Sequence, residues 1–137
     1  MLRECESKKI LVVGDELDMR IFLCNLLGTC GYESIDAADR TEGLQKAKAE
    51  RPALIILDVM MPKEDGIQMY FDLKRDENLK DVPVIMLSTI DQKTFFKFQK
   101  IQTFPWMKDR SEPVAYLEKP LEAEELLRLV QSLTASP

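Results

Sequence analysis

Short, almost wholly apolar runs alternate along the chain with longer segments in which apolar residues recur at helical spacing. The runs are Ile10-Leu11-Val12-Val13, Ala53-Leu54-Ile55-Ile56-Leu57, Val82-Pro83-Val84-Ile85-Met86-Leu87 and the shorter Ala115-Tyr116-Leu117. A strand that is apolar at successive positions is covered on both faces, as in a parallel sheet between helices. Tyr32 to Ala37 is a further candidate strand, because Gly31 before it suits the left-handed residue that ends a helix. The helical segments are Leu17 to Thr29, with Ile21, Phe22, Leu26 and Leu27 on one face, and Thr41 to Glu50, closed by Pro52. Ile67 to Arg75 follows the turn Lys63-Glu64-Asp65-Gly66, and Glu122 to Leu133 carries Leu126, Leu127, Val130 and Leu133 as its stripe. Gln92 to Thr103 holds no helix breaker and predicts a helix ending before Pro105. Five βα units follow, so the expected class is α/β: one doubly wound parallel sheet of five strands with five helices on its two faces. No repeat or Gly/Ser linker divides the chain, and 1–137 reads as a single domain with its core at about 8–134.

Composition narrows the chemistry. Hydrophobic residues make up 45 % of the 137, enough for one real core without metal or disulfide support. The 19 basic and 24 acidic side chains leave a net charge of −5, which argues against non-specific binding to nucleic acid or an anionic membrane. Histidine is absent, which removes catalytic triads, His-ligated zinc and a phosphohistidine relay within these residues. Cys5, Cys24 and Cys30 are odd in number and lack CxxC spacing. They read as reduced thiols acting as small buried hydrophobes, in keeping with a cytoplasmic protein. The polar start, Met1 to Lys9, has no signal-peptide character.

Strand ends carry the informative residues. The carboxyl ends of parallel strands converge on one edge of the sheet, where open α/β folds bind ligands. Here those ends are Gly14-Asp15-Glu16, Asp58, Ser88-Thr89 and Glu118-Lys119-Pro120. Bringing Asp15 near Asp58 is unfavourable unless a cation lies between them, and oxygen donors without histidine or cysteine favour a hard ion, Mg²⁺.

Four strings, in order, resemble the response-regulator receiver domain of two-component signalling, of which the CheY-like proteins are examples. They are Ile10-Leu11-Val12-Val13-Gly14-Asp15-Glu16, Leu57-Asp58-Val59-Met60-Met61-Pro62 with Asp65-Gly66, Val84-Ile85-Met86-Leu87-Ser88, and Tyr116-Leu117-Glu118-Lys119-Pro120. The resemblance implies a flavodoxin-like fold with strand order 2-1-3-4-5. It implies that Asp58 is the phosphoacceptor, assisted by Lys119 and Ser88, and that Ser88 and Tyr116 form the switch. It also implies Mg²⁺ held by Asp15, Asp58 and the backbone carbonyl of Met60. A sensor histidine kinase or phosphotransfer protein would be the donor, and the fourth helix, fifth strand and fifth helix would form the output surface.

The chain departs from the family pattern in three places. Gly14 stands where most receivers carry a further acid, so one carboxylate fewer should weaken Mg²⁺ binding. Met60 and Ile90, two positions beyond Asp58 and Ser88, bear side chains that do not orient an attacking water, which predicts a long-lived acyl phosphate. The largest departure is an insertion at about 91–113, which makes the fourth-helix region longer than such a domain needs. It gathers Phe95, Phe96, Phe98, Phe104 and Trp106 beside Lys93, Lys97, Lys100, Lys108 and Arg110. These aromatics are a candidate partner surface.

The expected function is a two-component receiver that takes a phosphoryl group on Asp58 and switches protein contacts. It would be a signalling switch that promotes its own phosphorylation and dephosphorylation, and not an enzyme acting on other substrates. The alternative is a degenerate receiver serving as a phosphorylation-independent interaction or dimerisation module. Expected partners are the kinase and a downstream protein, with a homodimer through the output surface. No direct DNA binding and no membrane association are expected, since no DNA-binding module is seen after the last helix.

Overall fold

The computed structural model describes residues 8–58, 65–88, 115–118 and 122–134. Five strands, β1 (Lys9–Val13), β2 (Glu33–Ala37), β3 (Leu54–Asp58), β4 (Val84–Ser88) and β5 (Ala115–Glu118), form one sheet in the order β2-β1-β3-β4-β5. All neighbours are parallel. Four helices are found among the described residues: α1 (Leu17–Thr29), α2 (Arg40–Glu50), α3 (Asp65–Arg75) and α4 (Ala123–Thr134). The helix expected at Gln92 to Thr103 and the whole insertion at 91–113 lie outside the described residues.

Alternation along the strands divides the core into two layers. Leu11, Val13, Ile55, Leu57, Val84 and Met86 meet Ala47 of α2 and Met69 and Leu73 of α3. Ile10, Val12, Leu54, Ile56, Ile85 and Leu87 meet Leu23 and Leu27 of α1 and Leu126 and Val130 of α4. The double coverage explains why the strands read as continuous apolar runs.

Local chemistry sets the helix ends. At the end of α1, Cys30 is the cap and Gly31 takes φ +88. The amide of Tyr32 donates to the Leu27 carbonyl at 3.2 Å and that of Gly31 to the Gly28 carbonyl at 3.1 Å. That pair of bonds is a Schellman motif, and it turns the chain into β2. At the start of α2, the Asp39 carboxylate accepts from the Glu42 amide at 2.8 Å, while the Glu42 carboxylate accepts from the Ala38 amide at 2.9 Å. These reciprocal bonds occupy donors that the first helical turn cannot satisfy.

Two expectations need correction. The first helix does not bury Ile21 and Phe22, which are 49 % and 47 % exposed. It buries Leu23 and Leu27, because Met19, Leu23 and Leu27 are the side chains that meet the sheet. Cys30 is likewise exposed, since its capping position lies beyond the packed face of α1, whereas Cys24 is partly buried.

Candidate functional site

β1 and β3 are direct neighbours, with Val13 paired to Leu57, so Gly14 and Asp58 leave the sheet side by side. Both follow the alternation of Ile10, Val12, Leu54 and Ile56, which face α1 and α4. Asp58 is only 1 % exposed. The approach of Gly14 is close: a Cβ placed on it would lie 3.3 Å from the Asp58 Cβ and 3.5 Å from its Oδ2. Asp15, the next residue, is exposed, as is Glu16, the N-cap of α1, whose side chain makes no capping hydrogen bond.

The expected site residues fall into two groups, those the structure brings together and those outside the described residues. Asp58 is set against Gly14, adjacent in sequence to Asp15. Ser88 closes β4 one residue beyond Leu87, the register partner of Asp58, and is itself paired with Glu118. Tyr116 stands in β5 opposite Met86. The side chains of Ser88 and Tyr116 lie outside the described residues, as do Lys119 and Met60. Phe95, Phe96, Phe98, Phe104 and Trp106 lie outside them as well.

Two neighbours of this edge carried no signal of their own in the sequence. The Arg20 guanidinium donates from Nη1 to the Gly14 carbonyl at 2.7 Å and from Nε to the Asp36 carboxylate at 2.8 Å. It therefore fixes the strand-to-helix turn that carries Asp15, and ties it to the end of β2. The Gly14 amide donates to the Ala37 carbonyl at 3.1 Å, so the turn is held on both of its polar groups. Met19 is the other neighbour: the same notional Cβ on Gly14 would lie 2.9 Å from its Cε. An arginine and a methionine early in a helix read as a surface residue and a core residue, and only the fold brings them to the strand ends.

Asp15 and Asp58 are oxygen donors in a chain without histidine, a set that suits a hard divalent cation with water and backbone oxygens completing the shell. Among the described residues no group of three acidic or thiol side chains gathers to form a more highly charged site.

The response regulator receiver domain matches residues 10–131. The chain belongs to this family. Among solved structures, the receiver CheY4 of Vibrio cholerae superposes with a TM-score of 0.78 at 29 % identity, covering 93 % of this chain and 98 % of that one. The receiver domain of the sensor histidine kinase PA1611 from Pseudomonas aeruginosa PAO1 has a TM-score of 0.78 at 25 % identity and covers 95 % and 99 % of the two chains. In that receiver a magnesium ion is coordinated in the active-site cleft. The DNA-binding dual master transcriptional regulator RpaA of Synechocystis sp. is 35 % identical over 125 residues, 91 % of this chain and 48 % of RpaA. This chain thus spans about half the length of that relative.

The relatives overturn one expectation. A receiver of this sequence type occurs in a regulator named for DNA binding, so the expectation of no direct DNA binding does not stand. Its basis was the acidic charge of these 137 residues and the residues after the last helix. Neither property bears on the part of RpaA that lies outside the match. Among the described residues no helix is long and apolar enough to cross a membrane.

Proposed function

We propose that this receiver is a phosphorylation switch in which Asp58 accepts a phosphoryl group from a phosphohistidine of a sensor histidine kinase. The observation that carries the reading is the buried carboxylate of Asp58 at the carboxyl end of β3, packed against the Gly14 turn that presents Asp15. A carboxylate oxygen of Asp58 attacks the phosphorus, the P–N bond to the donor imidazole breaks, and an acyl phosphate forms. Asp15, Asp58 and the Met60 carbonyl would hold Mg²⁺, which when bound neutralises charge on the transferring group. Arg20 holds the Gly14 turn and thereby the direction of Asp15. Lys119 would pair with the phosphoryl oxygens, and Ser88 would donate a hydroxyl hydrogen bond that draws the loop after β4 inward, with Tyr116 following it. The phosphoryl group then selects one of two loop arrangements, and the changed surface is what partners read. Residues 8–134 form the receiver core in this reading, and 91–113 an insertion in the crossover from β4 to β5.

The test is intact mass after incubation with Mg²⁺ and acetyl phosphate. One added phosphoryl mass, absent from Asp58→Asn, supports the switch. Gly14 favours a second reading, an interaction module that needs no phosphoryl group, because it removes one charge from the metal-binding edge. Failure of acetyl phosphate, phosphoramidate and a kinase donor alike, at high Mg²⁺, would decide for that module.

A further inference from the structure

The turn after β1 has little to steady it from within. Gly14 brings no side chain, and glycine restricts its own backbone less than any other residue, yet this turn sets where the next carboxylate, Asp15, points. Its restraint comes from the edge of the sheet. β2 is the edge strand beside β1, and Asp36 stands in it opposite Val12, two residues before Gly14. The Asp36 carboxylate accepts from Arg20 Nε at 2.8 Å, while Nη1 of the same guanidinium donates to the Gly14 carbonyl at 2.7 Å. The backbone of Asp36 is held in turn from α2, because Lys46 Nζ donates to its carbonyl at 2.6 Å. A planar guanidinium offers its donors in a fixed fork, so orienting one of them orients the other.

We infer that Asp36 is a positioning residue for the cation site: it aims the Arg20 guanidinium at the Gly14 carbonyl and so sets the direction of Asp15. The inference rests on the reading of Asp15 and Asp58 as the cation-binding pair. Asp36 touches neither phosphoryl group nor cation in this account. What the ion pair gives the fold is small, since the Asp36 carboxylate is 46 % exposed and ion pairs open to solvent contribute little. Its other end is the informative one. The Arg20 side chain is only 12 % exposed, so the group that Asp36 orients is an inner brace of the turn and not a solvated surface charge.

The experiment places Asp36→Ala and Asp36→Asn in the parent and in Arg20→Gln, and measures each by isothermal calorimetry against Mg²⁺ and by Tm without the ion. Asparagine keeps an oxygen that accepts from Nε, whereas alanine does not. Asp36→Ala should weaken Mg²⁺ binding about threefold or more and Asp36→Asn much less. Neither should matter once residue 20 is glutamine, because residues that act through one partner are not additive. Equal losses for alanine and asparagine, or a loss from Asp36→Ala that persists beside Arg20→Gln, would show Asp36 acting by its charge alone and would overturn the inference. So would no loss at all, or a loss that merely follows Tm across the set. The amide resonances of Asp15 and Glu16 in the metal-free protein give a second reading. A displacement by Asp36→Ala that disappears beside Arg20→Gln supports the inference; one that persists, or none, refutes it. A parent that takes up no Mg²⁺ would end the reading of Asp15 and Asp58 as a cation pair, and these resonances would still judge Asp36.

Discussion

The two ends of the sheet are built from different chemistry. At the amino end, distant parts of the chain are fastened by hydrogen bonds and by the exposed Lys9–Glu50 ion pair at 2.8 Å. The Lys8 ammonium donates to the Thr134 carbonyl. The Thr134 hydroxyl donates to the Val130 carbonyl at 2.8 Å, so the Tyr32 hydroxyl, 3.0 Å from it, is the donor to Thr134. Together these join the start of β1, the entry to β2 and the last turn of α4. At the carboxyl end stands a buried acid, Asp58, with a glycine and a methionine methyl close by and Arg20 bracing the turn. A buried carboxylate is costly to desolvate and marks a candidate functional site, whereas satisfied hydrogen bonds and an exposed ion pair contribute stability alone. One end holds the fold together, and the other presents a buried acid at the strand ends.

Substitutions that separate stability from phosphoryl uptake put this contrast to the test. The largest effect is expected for Asp58→Asn: phosphoryl incorporation measured by intact mass falls at least about 100-fold, since the attacking oxygen is lost. Its far-UV and near-UV spectra should match those of the parent, so that the loss is read on a folded chain; loss of the folded signal would place Asp58 among the structural residues. Arg20→Ala comes next, since it breaks bonds to Gly14 and Asp36 from a side chain that is only 12 % exposed. Denaturant titration should show a loss of about 2 kcal/mol, the usual range for hydrogen bonds to a charged group. Incorporation should slow in parallel, as the turn bearing Asp15 loosens. Thr134→Val keeps the shape and removes the hydroxyl from its bonds to Tyr32 and Val130. It should cost about 1 kcal/mol and leave the rate of phosphoryl uptake unchanged. A change in that rate would show the two ends to be coupled.

The smallest effect concerns acid. Accepting from the Ala38 amide, with Lys46 close by, holds the Glu42 carboxyl below its ordinary value of 4.5. A group depressed in the folded state adds stability above its unfolded pKa and loses it as pH falls through the folded one. The first turn of α2 should therefore begin to fray below about pH 4.5, seen as faster amide exchange at Ala38 and Glu42. The same amides in Glu42→Gln should show little pH dependence there.

Much of this arrangement can be read from the sequence because parallel strands announce themselves. Ile10 to Val13 and Leu54 to Leu57 have no polar interruption, so the apolar pattern by itself marks the residues just beyond, Gly14 and Asp58, as strand ends. Gly31 and Pro52 mark helix ends by backbone chemistry that is local. Burial on α1 is harder. Leu17, Ile21, Phe22, Leu23 and Leu27 spread apolar side chains around more than half of the helix. Periodicity alone then does not say which edge of the stripe meets the sheet. The approach of the Met19 tip to Gly14 is harder still, since it depends on how a flexible side chain settles across a turn.

The anchorage of Thr134 has a further consequence. It fixes the outlet of α4 at the opposite side of the sheet from Asp58, about 17 Å away if five strand residues rise at the usual spacing. Between the acid and that end of the helix stands a packed wall that includes Ile56, Leu54, Leu126 and Val130, placed as the arm of a lever lies between its two ends. Close-packed side chains of this kind yield little, so a displacement at one end of the wall would be felt along its length.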